Sequence, residues 1–333
     1  MSFAQPADLP VIDFAAFERD GEASRRVAEQ INQACRESGF FYLKGHGVSD
    51  SLCRRLDELS RKFFAQDDKT KLAIRMETGG RAWRGYFPVG GELTSGRPDQ
   101  KEGIYFGSEL SAEHPKVRAG TPLFGANLFP SLPGFRETVL QYLDVFTELG
   151  HRLMRAVAMS LGLEPAYFHE RYTRDPLILF RIFHYPPMES AESDHANWGV
   201  GEHTDYGLLT ILRQDEIGGL EVKSPNGWLS APPIPGAFIC NIGDMLELLT
   251  GGFYRSTPHR VRNTGKAGRL SFPFFFDPNW DAELEPIREP QEIEAGKEQR
   301  WDKASVHEFS GTYGDYVLQK VAKVFPELSS QNT

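Results

Sequence analysis

Apolar residues recur three and four positions apart in three stretches of the first half of the chain. Such spacing is typical of helices that bury one face. The stretches cover residues 22–38, 50–63 and 131–161, and the last is the longest. Asp50 is predicted to cap the second helix, because a side-chain oxygen at that place can accept a hydrogen bond from the first helical turn.

The second half of the chain changes to short apolar runs separated by glycine, proline and asparagine. A nearly continuous apolar strand is predicted over 177–187, and a buried strand over 208–212. Many short strands with such turns indicate an antiparallel sandwich or barrel. A helical tendency returns over 306–325. The predicted fold is therefore mostly β with flanking helices (α+β), built on a double-stranded β-helix, or jelly roll.

The change of pattern divides the chain into four parts that we expect to pack as one unit. Residues 1–130 are predicted to form an N-terminal region on the barrel, and 131–175 a scaffold helix. Residues 176–285 form the predicted jelly-roll domain, and 286–333 a C-terminal helical extension. Residues 79–98, rich in glycine, arginine and aromatics, are predicted to be a long loop, and long loops in compact domains are usually functional.

Composition narrows the classes of function. The 333 residues are 40% hydrophobic and 25% charged, as in ordinary globular proteins. A formal net charge of −9 disfavours nucleic acid and anionic membranes as partners but permits a small anionic ligand. Neither a signal peptide nor an apolar run of about 18 residues that could span a membrane is evident. Cys35, Cys53 and Cys240 lie in no C-x-x-C pattern, which fits a reducing compartment, and we expect a cytoplasmic location.

Candidate chemistry is concentrated in the stretch GEHTDYG. His203 and Asp205 lie two positions apart, and side chains two apart on a strand point to the same side. We predict that they meet at a strand end or in the adjoining loop. His259 follows in STPHRV, and ten residues later comes the pair Arg269 and Ser271. Two histidines and one carboxylate form the facial triad that binds non-haem Fe(II) and leaves coordination positions open.

Further motifs accompany these along nearly the whole chain. They are LPVIDFAAF and ESGFFYLKGHGV near the N-terminus, RGYFPVG and FHYPP in the middle, and GGLEVKSPNGW, NIGDMLELLTGG and RLSFPFFFDP in the C-terminal half. With this combination the chain resembles iron- and 2-oxoglutarate-dependent dioxygenases of the isopenicillin N synthase-like group.

The resemblance implies that the two histidines and the aspartate bind Fe(II), and that 2-oxoglutarate and O2 occupy the open positions. It implies that Arg269, Ser271 and Tyr185 bind 2-oxoglutarate. An arginine suits this role, because a guanidinium forms two parallel hydrogen bonds to a carboxylate and stays charged when buried. The implied reaction oxidises a small molecule, by hydroxylation in the first instance, and releases succinate and CO2.

The wall that faces the substrate is predicted from the loop and from two strands. Its candidate residues are Arg84, Tyr86, Phe183, Phe274 and Phe276. Phe183 stands where many plant members of the group carry asparagine, so an amide contact to the co-substrate is lost. Arginines at 81, 84 and 97 suggest an anionic substrate.

Two alternatives stay open. Isopenicillin N synthase uses this scaffold without 2-oxoglutarate, and in that mode Arg269 and Ser271 would bind the carboxylate of the substrate. The second alternative is a metal-binding jelly roll that is not an oxygenase, such as a zinc-filled sensor. The intact set of ligands speaks against the second. The sequence indicates neither the particular substrate nor an oligomeric state.

Overall fold

The computed structural model of the protein describes residues 9–18, 21–94, 96–187, 198–263, 267–288 and 306–324. The α-helices in these ranges are α1 (Gly21–Glu37), α2 (Asp50–Phe64), α3 (Asp68–Leu72), α4 (Pro115–Arg118), α5 (Phe135–Ser160), α6 (Tyr167–Arg171), α7 (Asp244–Leu249) and α8 (Tyr313–Val324). Short 3-10 helices cover Phe14–Glu18, Met76–Ala82 and Val306–Glu308. None of the described helices is long and apolar enough to cross a bilayer.

The strands form two sheets. They are β1 (Val11–Asp13), β2 (Phe40–Lys44), β3 (Gly85–Phe87), β4 (Glu102–Gly107), β5 (Pro176–Tyr185), β6 (Trp198–His203), β7 (Leu209–Gln214), β8 (Leu220–Ser224), β9 (Gly227–Ser230), β10 (Phe238–Ile242), β11 (His259–Arg262) and β12 (Arg269–Asn279). Eight strands make the large sheet, in the order β1-β2-β10-β7-β12-β5-β4-β3, and the small sheet has the order β6-β11-β8-β9. Only β1 and β2 pair in parallel, so the predicted antiparallel architecture is confirmed for the described residues.

Helix α5 is the scaffold helix predicted from the apolar spacing. Its buried face lies against the large sheet, where the ring of Phe146 is 5.4 Å from the ring of Phe274 between centroids. The helix begins at Phe135, four residues after the predicted start. Gly134, with a φ of 79°, is left-handed and cannot lie inside a right-handed helix.

Two local predictions are wrong. Ser49, not Asp50, caps α2, because its side chain accepts a hydrogen bond from the backbone N–H of Ser51. The stretch 79–98 is less irregular than predicted, since it includes the end of a 3-10 helix and the whole of β3. Gly85 allows this ordering: its φ is 120°, and a Cβ there would lie 2.4 Å from a backbone carbonyl oxygen.

The centre of the large sheet fixes which side chains point inward. β12 pairs with β5 so that Arg269 lies opposite Tyr185 and Ser271 opposite Phe183. Because side chains alternate along a strand, odd-numbered residues of both strands share one face. In the C-terminal part, the predicted helical segment contains α8, which begins at Tyr313 and packs on β12.

Candidate active site

The three predicted metal ligands come together between the two sheets. His203 ends β6, Asp205 lies in the following loop, and His259 begins β11. Pairing of β6 with β11 sets the two histidines opposite each other, with ring centroids 4.3 Å apart. Asp205 Oδ1 lies 3.9 Å from Nε2 of His203 and 3.6 Å from Nε2 of His259. The ligand atoms of these residues, the metal triad, all lie within 4.8 Å of one another.

Backbone carbonyls orient both imidazoles. Nδ1 of His203 donates to the carbonyl of Gly201 at 2.8 Å, and Nδ1 of His259 to that of Thr257 at 3.2 Å. A proton held on Nδ1 leaves the Nε2 lone pair free for a metal ion. Burial, followed by the neighbouring His259, lowers the pKa of His203 to about 4, which favours the neutral form that binds metal.

The carboxylate of Asp205 is held in the same way. Its Oδ2 accepts hydrogen bonds from Thr210 at 2.5 Å and Asn241 at 2.7 Å, so Oδ1 is left to face the histidines. Burial would raise the pKa of Asp205, but the two histidines and these donors hold that pKa below its usual range. Two imidazoles, one carboxylate and these outer hydrogen bonds fit a divalent transition metal such as Fe(II).

Arg269 lies buried at one side of the same space, with 1% of its surface exposed. Its Nη2 donates to Gln214 at 3.4 Å, whereas Nε and Nη1 have no partner among the described residues. The guanidinium lies 4.7 Å from the ring centre of Tyr185, and Ser271 projects to the same side. A buried guanidinium with unpaired nitrogens matches a carboxylate ligand, which would supply the missing acceptors.

A cavity of about 150 Å³ joins these groups. The metal triad, Arg269, Ser271 and Tyr185 all line it, and so does Phe183, one of the predicted wall residues. Apolar side chains from both sheets complete much of the wall, among them Leu212, Val200 and Val261.

The prediction that Phe274 and Phe276 face the substrate is wrong. Both are fully buried on the opposite face of β12 and do not line the cavity. Phe274 packs on α5, and the ring of Phe276 lies 4.9 Å from the ring of His151 on that helix. Arg269 and Ser271 are odd-numbered, so alternation along the strand turns the even-numbered phenylalanines away from them.

Arg84 and Tyr86 also lie away from this cavity, contrary to prediction. Nη2 of Arg84 donates to the carbonyl of Leu123 at 2.7 Å, and the side chain lines a separate space of about 20 Å³. The hydroxyl of Tyr86 donates to Glu102 at 2.6 Å, where Lys71 and His184 also bind. These two residues therefore have packing and ion-pair roles in this structure.

Sequence reasoning missed several residues that do line the cavity, most of them polar. They include Glu92, Thr94, Lys101, Tyr105, Arg181 and Phe275. Two of them could have been predicted from strand alternation. Arg181 lies four positions before Tyr185 on β5, and Phe275 lies six positions after Arg269 on β12, so each shares a face with a predicted site residue. The others depend on how β4 and the preceding loop fold over the barrel, which no periodicity encodes.

Two family models match the chain. Residues 9–132 match the family described as non-haem dioxygenase in morphine synthesis N-terminal, and residues 176–278 match the 2OG-Fe(II) oxygenase superfamily. The chain belongs to the 2OG-Fe(II) oxygenase superfamily, in its isopenicillin N synthase-like group. It is an Fe(II)- and 2-oxoglutarate-dependent dioxygenase, so the predicted jelly roll, the metal, the co-substrate and O2 are confirmed.

Similar proteins cover almost the whole chain. A probable iron/ascorbate oxidoreductase of Dictyostelium discoideum is 51% identical over 97% of this chain and 96% of its own. A 1-aminocyclopropane-1-carboxylate oxidase of the same organism is 40% identical over 96% and 95%. A homoarginine-6-hydroxylase of Oryza sativa subsp. japonica is 37% identical over 90% of both chains. Among solved structures, a full-length Neurospora crassa protein in complex with alpha-KG and 5-formyluracil has a TM-score of 0.78 and 29% identity, and the match covers 94% of this chain and 96% of that one.

Proposed function

We propose that the metal triad holds the Fe(II) and that Arg269, Ser271 and Tyr185 hold 2-oxoglutarate, in an enzyme that hydroxylates a small molecule. The observation that carries this proposal is the convergence of free ligand atoms and free donors on one cavity. Both Nε2 atoms and Asp205 Oδ1 face it, and the unpaired nitrogens of buried Arg269 lie at its side.

The chain's own groups would bind and orient. Two backbone carbonyls keep the imidazoles in the metal-binding tautomer, and Thr210 and Asn241 fix the carboxylate. Arg269 would neutralise the distal carboxylate of the co-substrate, and Ser271 and Tyr185 add hydroxyls beside it. When bound, iron supplies the activation of O2 and the oxidation of a C–H bond, coupled to conversion of 2-oxoglutarate into succinate and CO2. The apolar wall limits the access of water to that chemistry.

The substrate we propose is a small molecule, because the lining groups enclose a space of about 150 Å³. The similar proteins support this, since two of them are named for activity on homoarginine and on 1-aminocyclopropane-1-carboxylate. The net charge of −9 speaks against nucleic acid. A cytoplasmic location is supported by three buried cysteines that form no disulfide. The division at residues 130, 175 and 285 stays a prediction.

The test is anaerobic addition of Fe(II) and 2-oxoglutarate to the metal-free protein, followed by visible absorption. We expect the charge-transfer band of a keto acid chelated to Fe(II), and succinate in step with product once O2 is admitted. Arg269→Met should weaken 2-oxoglutarate binding about 100-fold, as loss of one partner of a buried charge pair does. Arg213→Met is the matched control, because Arg213 stacks on Phe272 and pairs with Asp57 away from the cavity.

A second candidate is an oxidase that uses O2 without 2-oxoglutarate and binds the substrate carboxylate at Arg269 and Ser271. It is favoured by the 40% identity to a 1-aminocyclopropane-1-carboxylate oxidase. Under this candidate Fe(II) binds but the charge-transfer band is absent, and product forms without succinate. Those two results together would displace the first proposal.

A further inference from the structure

The cavity contains charged groups that neither the metal nor 2-oxoglutarate requires. Arg181 on β5 and Glu92 in the segment before β4 both line it, together with Lys101 and Tyr105. Asp99, which is buried and does not line the cavity, pairs with Lys101. Buried charges in a cavity are costly unless a partner compensates them, so an incomplete set of partners indicates what a ligand would bring.

Arg181 is a cation that contacts no carboxylate directly among the described residues, although the charges of Glu92 and Asp277 attract it from a distance. Its guanidinium stacks 3.4 Å above the ring centre of Tyr105 and 5.6 Å from that of Phe275. Nη1 is buried without a hydrogen-bond partner, and no carboxylate in the described part of the chain lies within 4.0 Å of the group. Two aromatic rings hold the guanidinium in place and leave its donors available. That arrangement suits a planar carboxylate from a ligand.

Around Lys101, two carboxylates contact one ammonium group directly. Lys101 is the only cation paired with both Glu92 and Asp99 in the described residues, at 2.9 Å and 2.5 Å. Oε2 of Glu92 nevertheless receives no well-directed hydrogen bond. Burial, opposed by Lys101 but reinforced by Glu92, raises the pKa of Asp99. Arg181 attracts Glu92 only from a distance, so a cationic group of a ligand in direct contact with Glu92 would relieve the crowding of two carboxylates around one ammonium group.

Tyr105 connects the two sites. Its hydroxyl donates to Oε1 of Glu92, and its ring face carries Arg181. Arg181 and Glu92 therefore contact the same tyrosine side chain without contacting each other directly. A ligand that contacts both would carry a carboxylate and a cationic group close together.

We infer that the substrate is an α-amino acid whose carboxylate binds Arg181 and whose ammonium group binds Glu92. This inference rests on the proposed function, since it assigns the substrate of that same cavity. It also replaces the earlier expectation of an anion bound by arginines at 81, 84 and 97. Arg84 is buried elsewhere, and the other two do not line the cavity.

The experiment measures equilibrium binding to the Fe(II)–2-oxoglutarate protein without O2, by calorimetry. The probes are the twenty protein amino acids, L-homoarginine and 1-aminocyclopropane-1-carboxylate. For the best binder, the amine that lacks the carboxylate and the acid that lacks the amino group are then measured. For L-arginine these are agmatine and 5-guanidinopentanoate. We expect each truncated compound to bind at least about 30-fold more weakly, because each leaves one buried charge unpaired.

Variants separate the two contacts. Arg181→Met should weaken binding of the amino acid at least about 30-fold and scarcely change binding of the amine that lacks the carboxylate. Glu92→Gln should show the reverse pattern, with little effect on the acid that lacks the amino group. Arg181→Lys keeps the positive charge but not the planar guanidinium, so it should lose less affinity for the amino acid than Arg181→Met. It replaces Arg181→Met in the experiment if the methionine variant does not fold. Arg213→Met is the control and should match the unmodified protein.

Three results would overturn the inference. They are the absence of binding by every amino acid in the panel, equal binding of an amino acid and its decarboxylated amine, and equal losses for both compounds in Arg181→Met. The charge-transfer band of bound 2-oxoglutarate is recorded in every sample. If the unmodified protein shows no such band, the proposal that it binds 2-oxoglutarate fails. The inference about the amino acid can still be tested in that case, because amino acid binding to the Fe(II) protein is measured separately.

Discussion

The two faces of β12 carry opposite chemistry on one strand. The inward face presents Arg269, Ser271, Pro273, Phe275 and Asp277 to the cavity. The outward face includes Leu270, Phe272, Phe274 and Phe276, whose apolar side chains are fully buried. The outward side chains pack the sheet against other elements, whereas the inward ones remain available to ligands. A single strand thus both holds the barrel together and supplies much of its site.

The difference teaches that hydrophobic content alone does not reveal function in such a strand. Phe274 and Phe275 are adjacent and identical, yet Phe274 is fully buried and Phe275 is partly exposed to the cavity. They differ because side chains alternate along the strand: Phe275, six positions after Arg269, shares its face, whereas Phe274, five positions after it, lies on the other. Substitutions on the two faces should therefore affect different measurements.

The largest expected effect is on the outward face. Phe274→Ala should lower the free energy of unfolding by about 3–5 kcal/mol, because it removes a ring packed between Phe146 and Phe180 and leaves a void. Phe275→Ala is the matched control and should cost markedly less stability, since its ring already borders a cavity. Urea denaturation of both metal-free variants measures this. Equal losses would mean that the two faces do not differ as described.

A pH effect of about 4 kcal/mol is expected at the inward end of the strand, since one pKa unit corresponds to about 1.4 kcal/mol. Burial raises the pKa of Asp277 to about 7, although Tyr313 donates a hydrogen bond to it at 2.6 Å. The unfolded carboxyl has a pKa of about 4, so between pH 4 and 7 the folded protein retains a proton that the unfolded chain has lost. The contribution of Asp277 to stability is therefore complete below pH 4 and is lost as pH rises to 7.

Asp277→Asn tests this effect, because the amide cannot ionise but can still accept the hydrogen bond from Tyr313. The difference in free energy of unfolding between the variant and the unmodified protein should move in favour of the variant from pH 5 to pH 8. Chemical denaturation of the metal-free forms at both pH values provides the measurement. A difference that stays constant with pH would show that Asp277 is ionised throughout.

The sequence predicted the elements in which an apolar spacing repeats over many residues and the sites that lie in short motifs. Helix α5, the strand β5 and the His203–Asp205–His259 cluster lie where the pattern indicated, and Arg269 lies in the same cavity. Each of these follows from spacing within a few residues or from the order of short motifs. The roles of these residues in binding stay proposals.

The substrate side could not be predicted in the same way. Glu92, Lys101 and Arg181 reach one cavity only because β4 pairs with β5 and the segment before it folds back. That proximity depends on long-range pairing, which local patterns do not specify. Arg84 and Tyr86 were chosen because their loop is rich in arginine and aromatics, yet those features serve packing and an ion-pair cluster around Glu102.

The smallest effect concerns the contact between α5 and the outward face. A Cβ added at Gly150 would lie 2.3 Å from Cδ2 of Phe276, far inside contact distance. Alanine favours a helix interior over glycine by about 1 kcal/mol, which opposes this clash. The ring of Phe276 is fully buried and packed against His151, so it cannot move aside at low cost. The clash should therefore prevail, and Gly150→Ala should lower the free energy of unfolding by about 1–2 kcal/mol, within the range of overpacked cores.

Gly21→Ala, at the start of α1 where a Cβ meets no atom within 4 Å, is the control and should leave the midpoint of thermal unfolding unchanged or slightly raised. If Gly150→Ala were instead as stable as Gly21→Ala, α5 would stand further from the sheet than described, and the outward face of β12 would be less tightly packed than the contrast with its inward face requires.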